Sequence, residues 1–191
     1  MDRPDAGMGE NEKGKAGSGM EREKTGLRLR PWKREELGLL LRWLPGEREM
    51  TLWCARKFVY PLTEAQLRAY YEAMEENRRG FIFAALDEHG RTVGHIMMQD
   101  ADYEENSIYF GLIVVDPETR GKGYGKEMVA LALQYASRIL GMKRVTLRVF
   151  DNNPRAKHCY ETAGFREEKR EEAAVDFHGE PWTLIHMAAE L

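Results

Sequence analysis

The stretch Ile108–Lys126, IYFGLIVVDPETRGKGYGK, decides the fold of this chain, because it sets a strand, a glycine-rich loop and a helix in immediate succession. Residues 108–115 form a near-continuous apolar run of strand length, which predicts a strand buried on both faces. A long amphipathic helix is predicted over about residues 124–140, ending at Gly141. The candidate ligand site is the loop between them, Arg120-Gly121-Lys122-Gly123-Tyr124-Gly125-Lys126.

This glycine loop has the features of an anion-binding site. Glycines let the backbone adopt unusual dihedral angles and approach a ligand closely. The first amide N–H groups of the following helix have no partner within the helix, and the helix dipole favours negative charge there. Arg120, Lys122 and Lys126 add positive charges to the same rim. The loop is therefore suited to a diphosphate.

Two common phosphate-binding motifs do not fit the loop. The nucleotide P-loop requires Gly-Lys-Ser/Thr, a sequence that occurs nowhere in the chain. The dinucleotide-binding fingerprint requires a third glycine where Lys126 stands. The spacing that does fit is Arg/Gln-x-x-Gly-x-Gly/Ala, matched by Arg120, Gly123 and Gly125.

In this motif the chain resembles the GNAT superfamily of N-acetyltransferases, from about Leu27 onward. A second segment, residues 153–165 (NPRAKHCYETAGF), resembles the family's Asn-x-x-Ala…Tyr-Glu-x-x-Gly-Phe helix. The resemblance implies that acetyl-CoA is the co-substrate, without a metal, and that its acetyl group moves to a primary amine by direct attack. It also implies a mostly antiparallel central sheet that is splayed between its fourth and fifth strands.

The resemblance implies a role for several residues of the fourth strand and the second segment. The backbone of Ile113 and Val115 would pair with the pantetheine arm, and the Ile113 amide would donate to the thioester carbonyl oxygen. Tyr160 would protonate the departing thiolate. Asn153 would touch the pantetheine arm, although an Asn before Pro154 is equally explained as a helix cap. The expected cofactor ligands are Ile113, Val115, Arg120, Gly121, Lys122, Gly123, Gly125, Lys126 and Asn153.

No general base is predicted from the sequence. Several family members carry a glutamate four residues before the position that matches Ile113, where this chain has Tyr109. A phenol is a poor base at neutral pH because its pKa is about 10. Glu104 and Glu105 could act through water, or they are simply solvated. A reaction without a dedicated base is the other possibility, provided that the amine arrives through ordered water.

The acceptor wall is expected in the first helical region, as the resemblance implies. The aromatic residues Trp53, Phe58 and Tyr60 fit such a wall, and Trp182 near the C-terminus is a further candidate. Core packing explains all four equally well. The acceptor itself, a small molecule or a protein N-terminus or lysine, is not specified.

Hydrophobic periodicity and turn signals predict the element order β-α-α-β-β-β-α-β-α-β-β, an α+β or α/β three-layer domain with helices on both faces of a mixed sheet. Helices are expected over residues 33–44 and 63–79, and no element is assigned to residues 49–60. Residues 1–25 contain no Val, Ile, Leu or aromatic residue and are predicted to be a disordered tail. Residues 26–191 form the N-acetyltransferase domain.

Composition limits the remaining function classes. The net charge of −3 argues against a protein dedicated to nucleic acid. No apolar run or leader is present that would suggest a membrane or export, so a cytoplasmic protein is expected. The two cysteines suggest neither a metal cluster nor a disulfide framework.

The exposed final hairpin could pair across a homodimer. The alternative function, in a different class, is a non-catalytic acyl-CoA-binding sensor or interaction module.

Overall fold

The computed structural model describes residues 26–191, so the predicted disordered tail over residues 1–25 lies outside the described residues. The described chain folds into helices on either side of one sheet. Its elements, in chain order, are β1 (Arg28–Pro31), α1 (Leu37–Trp43), α2 (Glu47–Cys54), α3 (Glu64–Glu76), β2 (Phe81–Leu86), β3 (Thr92–Asp102), β4 (Ser107–Val115), α4 (Tyr124–Arg138), β5 (Arg144–Phe150), α5 (Pro154–Thr162), β6 (Arg166–Phe177) and β7 (Glu180–Glu190).

The sheet runs in the order β1-β2-β3-β4-β5-β7-β6, and every neighbouring pair is antiparallel except β4 and β5. The parallel pairing of β4 with β5 is short, joining residues 107–110 to residues 144–147. Beyond Phe110 the two strands part, and β4 continues to Val115 without a partner on that side. The predicted mixed sheet, splayed between its fourth and fifth strands, is confirmed.

A β-bulge lies in β4 where it leaves β5. Val114 is opposite His95 and Gly111 is opposite Met97, so residues 112–113 together face the single β3 residue between them. A bulge of this kind bends its strand and increases the local twist. The bulge therefore begins at Leu112, two residues after the pairing with β5 ends at Phe110.

The bulge also exchanges the two faces of β4. Ile108 and Phe110 are buried against α4, whereas Leu112 and Val114 are buried against α1, α2 and α3. Strict alternation would have kept all four side chains on one face, since successive strand residues point to opposite sides. Leu112, with a φ of +48°, takes up the change of direction.

Each face of the sheet carries its own hydrophobic core. Helices α4 and α5 cover one face, and α1, α2 and α3 cover the other. Close approach of α4 depends on Gly94 in β3, because a Cβ atom there would lie 2.8 Å from the Met128 sulfur and 3.2 Å from the Val114 carbonyl oxygen. The helical residues of the two cores include Met128, Val129, Ala132 and Ala136 on one side and Leu40, Met50, Leu67 and Tyr70 on the other.

Helix α2 is the main departure from the sequence prediction, which assigned no element to residues 49–60. It has only two turns, and its buried residues Met50, Thr51, Trp53 and Cys54 form no repeating apolar face of detectable length. The predicted helix over residues 33–44 begins instead as a 3₁₀ turn at Arg34–Glu36. The helix predicted to reach residue 79 ends at Glu76.

Thr63 is the N-cap of α3, because its Oγ1 accepts a hydrogen bond from the Gln66 amide at 3.3 Å. The Gln66 side chain turns to the preceding loop, where its Oε1 accepts from the Val59 amide at 2.8 Å and its Nε2 donates to the Val59 carbonyl at 3.0 Å. Gln66 thus attaches the segment between α2 and α3 to the start of α3.

A fully buried histidine sits at the centre of the core formed with α1, α2 and α3. His95 Nδ1 lies 2.7 Å from the Leu112 carbonyl oxygen, and its Nε2 lies 3.4 Å from the Tyr70 hydroxyl. The rings of Trp32 and Trp53 pack edge-on to the imidazole, with centroids at 4.8 and 6.2 Å. Burial lowers the pKa of His95 to about 4, so the imidazole is neutral at pH 7. Nδ1–H therefore donates to Leu112, and Nε2 accepts from Tyr70.

We predict that His95 makes the fold sensitive to mild acid. In the unfolded chain its pKa returns to about 6.5, so the unfolded state binds a proton first as the pH falls from 6.5 towards 4. The free energy of unfolding should then drop, by roughly 2 to 3 kcal/mol at pH 4.5 from this residue alone. Urea titrations near pH 7 and pH 4.5 of the wild type and His95→Asn measure the difference. Equal losses in the two proteins would contradict it.

Candidate active site

A cleft of about 980 Å³ opens where β4 and β5 part. Its walls are the outer half of β4, the glycine loop, the start of α5, and part of α2. Every site residue predicted from the sequence lines this cleft except Lys122. The lining residues among them are Ile113, Val115, Arg120, Gly121, Gly123, Gly125, Lys126, Asn153 and Tyr160.

The glycine loop is shaped by side-chain hydrogen bonds in the turn that precedes it and by two glycines with left-handed backbone. Asp116 Oδ1 accepts from the Glu118 amide at 3.0 Å, and the Thr119 hydroxyl donates to the Asp116 carbonyl at 3.1 Å. Gly121 and Gly123 have φ values of +88° and +83°, where other residues are strained. Because Gly123 is the N-cap of α4 and has no side chain, the first amides of α4 remain available to a ligand.

Gly125 serves a different purpose in the same loop. A Cβ atom at position 125 would lie 3.6 Å from the Val115 side chain and 3.8 Å from the Cys159 sulfur, which are ordinary van der Waals distances. Packing within the protein therefore does not require a glycine here. The bare backbone faces the cleft, beside the Arg120 and Lys126 side chains. Unpaired amides, an accessible backbone and two cations together form a set of donors that fits a diphosphate.

Lys122 does not join this set. Its side chain is exposed at the tip of the loop and lies outside the cleft lining. The other two predicted cations, Arg120 and Lys126, do line the cleft. A role for Lys122 in cofactor binding therefore stays a prediction.

Tyr160, on α5, lines the cleft and is only 7% exposed. Its ring packs against Phe165, with centroids 6.1 Å apart. Burial, together with the nearby Cys159 and Tyr109 side chains, raises the pKa of the Tyr160 hydroxyl well above its usual value. The phenol is therefore fully protonated at neutral pH and able to act as a proton donor.

Asn153 lines the cleft and also caps α5. Its Oδ1 accepts a hydrogen bond from the Ala156 amide at 3.2 Å, with Pro154 at the first helical position. The cap explanation is thus confirmed. The side-chain amide N–H₂ group is not needed for that bond, so the cap and a contact with the pantetheine arm are compatible.

The cleft lining also contains polar groups that sequence reasoning did not identify. The Arg148 guanidinium lies 5.3 Å from the Tyr109 ring centroid, and its Nε is 3.4 Å from the Tyr109 hydroxyl. Gln99 and the exposed residues Glu49 and Glu171 line the same cleft. The Glu49 carboxylate lies beside Gly46 at the start of α2, and Glu171 Oε2 lies 3.3 Å from His186 Nε2. These lining residues come from β3, β4, β5, β6 and α2, so no local sequence pattern could have indicated them.

The four aromatic residues proposed as an acceptor wall have separate positions. Trp53 lines the cleft, and Phe58 stacks behind it with ring centroids 5.3 Å apart. Tyr60 is 43% exposed and lies outside the cleft. Trp182 is 1% exposed and stacks on Phe177 at 4.5 Å, also away from the cleft. Only Trp53 contributes to the wall directly.

Glu104 and Glu105, considered as water-mediated bases, lie in the turn between β3 and β4, where both are exposed. That turn leads into residues 107–110, the part of β4 that pairs with β5, whereas the cleft lies beside the unpaired remainder of the strand.

Within residues 26–191, no cluster of three His, Cys, Asp or Glu side chains is arranged to hold a metal ion. Over the same range, no helix has the length and apolar character to cross a membrane.

Comparison with known proteins relates this chain to acetyltransferases. Over 86 residues it is 34% identical to the spermidine N(1)-acetyltransferase of Vibrio cholerae, covering 45% of this chain and 49%, about half, of that protein. It is 27% identical over 149 residues to a peptidyl-lysine N-acetyltransferase of Escherichia coli, covering 75% and 89% of the two chains.

Solved structures show the same relationship at the level of the fold. The structure of spermidine N-acetyltransferase from Vibrio cholerae in complex with CoA and spermine superposes with a TM-score of 0.77 at 24% identity, covering 87% of this chain and 96% of that chain. The sequence profile of the acetyltransferase (GNAT) domain matches residues 26–166. This chain therefore belongs to the GNAT acetyltransferase domain family.

Proposed function

We propose that this protein transfers the acetyl group of acetyl-CoA to a primary amine. The observation that carries the proposal is the cleft along the unpaired edge of β4. It runs from a glycine loop suited to a diphosphate, past a buried protonated phenol, to a polar end with room for a second substrate. That order of features matches the order of groups in the substrate: diphosphate, pantetheine arm, thioester.

The cofactor half of the proposal depends on the loop and the strand edge. The α4 amides, Arg120 and Lys126 would bind the diphosphate. Past Phe110, β4 has no partner on the β5 side, so the backbone of Ile113 and Val115 is free to pair with the amides of the pantetheine arm. The pantetheine arm would pair with β4 in the way that an added peptide strand pairs with the exposed edge of a sheet.

The chemical half requires charge stabilisation and a proton donor. As the amine attacks, the thioester carbonyl oxygen gains negative charge, which the Ile113 amide would stabilise. The carbon–sulfur bond then breaks, and Tyr160 would deliver its proton to the departing sulfur. No carboxylate is proposed as a base: the attacking nitrogen would lose its proton to water, and a proton from water would restore the Tyr160 phenol. Tyr109 holds the corresponding strand position and is engaged with Arg148.

We propose polyamines as the acceptor class. One relative in the comparison is named for spermidine and another for peptidyl-lysine. One observation favours the former. The exposed residues Glu49 and Glu171 both line the cleft, and two negative charges suit a chain with several ammonium groups.

A panel of amines tests the activity and the acceptor together. Thiol release from acetyl-CoA should rise most with spermidine or spermine, less with a lysine peptide and least with a simple monoamine. Combining Glu49→Gln with Glu171→Gln should raise KM for spermidine several-fold and leave kcat little changed, since exposed charges act mainly on binding. Glu76→Gln, outside the cleft on α3, is the matched control.

The panel also distinguishes the alternative function. If CoA binds but no amine stimulates thiol release, the catalytic proposal fails and the acyl-CoA-binding module is favoured. If only lysine peptides are acetylated, the reaction stands and the acceptor class is wrong. If the double variant changes KM no more than Glu76→Gln does, the two carboxylates do not bind the acceptor.

We predict that Arg120→Ala weakens CoA binding about tenfold, because a charged hydrogen bond to phosphate contributes about 1.5 kcal/mol or more. The loss should shrink at high salt, since Arg120 is exposed. Calorimetric titration with CoA measures it. Arg138→Ala, at the opposite end of α4, is the control, and an equal effect of both variants would contradict a direct contact.

We predict that Tyr160→Phe lowers kcat about 10²- to 10⁴-fold with little change in CoA affinity, since only the proton donor is removed. The ring and its packing against Phe165 are retained. Steady-state kinetics with the best acceptor measure kcat, and Tyr103→Phe, an exposed tyrosine, controls for the substitution. Unchanged turnover would remove Tyr160 from the mechanism.

A further inference from the structure

We propose that His95 is a positioning residue for the reaction: it holds the Leu112 carbonyl so that the Ile113 amide points at the thioester. This inference rests on the proposed acetyl transfer. His95 itself lies behind β4, outside the cleft lining, and touches no substrate. Its effect on the reaction would be transmitted through the peptide group between Leu112 and Ile113.

The peptide between Leu112 and Ile113 carries the first step of the argument. Tyr60–Pro61 is the single cis peptide among the described residues, so the Leu112–Ile113 peptide is trans. In a trans peptide the carbonyl and the following N–H point in opposite directions. Because the Leu112 carbonyl points to His95 Nδ1 at 2.7 Å, the Ile113 N–H points to the opposite side, away from His95. On that side β4 has no strand partner, and Ile113 lines the cleft.

The bulge explains why this peptide needs a side-chain partner. Leu112 has a φ of +48°, and residues 112–113 occupy the place of a single residue in the ladder with β3. A bulge leaves one backbone unit outside the regular ladder, and a buried carbonyl without a partner is destabilising. The His95 imidazole provides that partner, which fixes the orientation of the peptide plane.

The surroundings of His95 fix the imidazole in turn. Its ring is enclosed by Trp32, Trp53 and Tyr70, which belong to the segment before α1, to α2 and to α3. The Tyr70 hydroxyl donates to Nε2, so the proton of the neutral ring stays on Nδ1, where Leu112 needs it. A ring that could not rotate or change tautomer would hold the Ile113 amide at a constant direction.

The expected effect on the rate is large, because a donor to the developing oxyanion acts only in the transition state. Removing such a donor lowers kcat about 10²- to 10³-fold. Loss of His95 leaves the Ile113 amide in place but free to turn, so we expect a smaller decrease of about 10- to 100-fold. CoA affinity should change little, since the diphosphate binds at the glycine loop.

Two substitutions of His95 separate its two hydrogen bonds. The amide nitrogen of Asn reaches the position of Nδ1 and can still donate to Leu112, whereas the longer Gln places its amide near Nε2 and can pair with Tyr70. The proposal expects His95→Asn to retain most of kcat and His95→Gln to lose about 10- to 100-fold, with CoA dissociation constants within about twofold of the wild type. Equal losses of kcat in the two variants, or none in either, would overturn it.

A second measurement does not need turnover. Infrared spectra of bound acetyl-CoA carrying a ¹³C-labelled acetyl carbonyl report the hydrogen bond to that oxygen. The band should move to lower frequency in the wild type and in His95→Asn, and return towards the free value in His95→Gln. If no amine is acetylated by the wild type, the proposed function fails while this comparison still decides the role of His95. An unshifted wild-type band, or equal shifts in both variants, overturns the inference.

Discussion

The bulge at residues 112–113 of β4 is the feature on which the rest of the site depends. It bends β4 away from β5 after Phe110, so the parallel pairing is limited to four residues on each strand. The backbone groups beyond that point are left without a strand partner. Since backbone polar groups in a protein interior must be paired, this edge is prepared for a ligand that carries alternating donors and acceptors. The cleft is a consequence of the sheet's geometry.

The same bend divides the two tasks of the site between the two faces of the sheet. Helices α4 and α5 on one face carry the glycine loop and Tyr160, whereas α2 on the other face contributes Trp53 and Glu49 to the cleft lining. The bulge lets β4 contribute apolar side chains to both cores in turn. Each set of helices is therefore anchored to β4, the strand along which the cleft runs.

Several of these features were predictable because their signal is local. Positions 121 and 123 have left-handed backbone conformations, which favour the glycines found there. A positively charged loop between a buried strand and a helix indicates an anion site. Asn153 before Pro154 indicates a cap, which the structure contains. Helix α2 was not predicted because a helix of only two turns contains too few apolar residues at helical spacing for the periodicity to be detected. The bulge was not predicted because position 112 is a leucine, which, unlike glycine or asparagine, gives no sequence signal of a positive φ.

The sequence by itself determined the family and the strand–loop–helix unit, and it gave the candidate cofactor residues, since these lie within two continuous segments whose spacing is set by the chain. Only the tertiary structure could show the polar groups that line the cleft and the partners of His95. Glu49, Gln99, Arg148 and Glu171 come from four separate elements, and only the folded sheet brings them to one cleft. His95 and Leu112 are 17 residues apart, and a hydrogen bond over that distance depends on the register of β3 against β4. Register is a property of paired strands, so a single strand's sequence does not contain it.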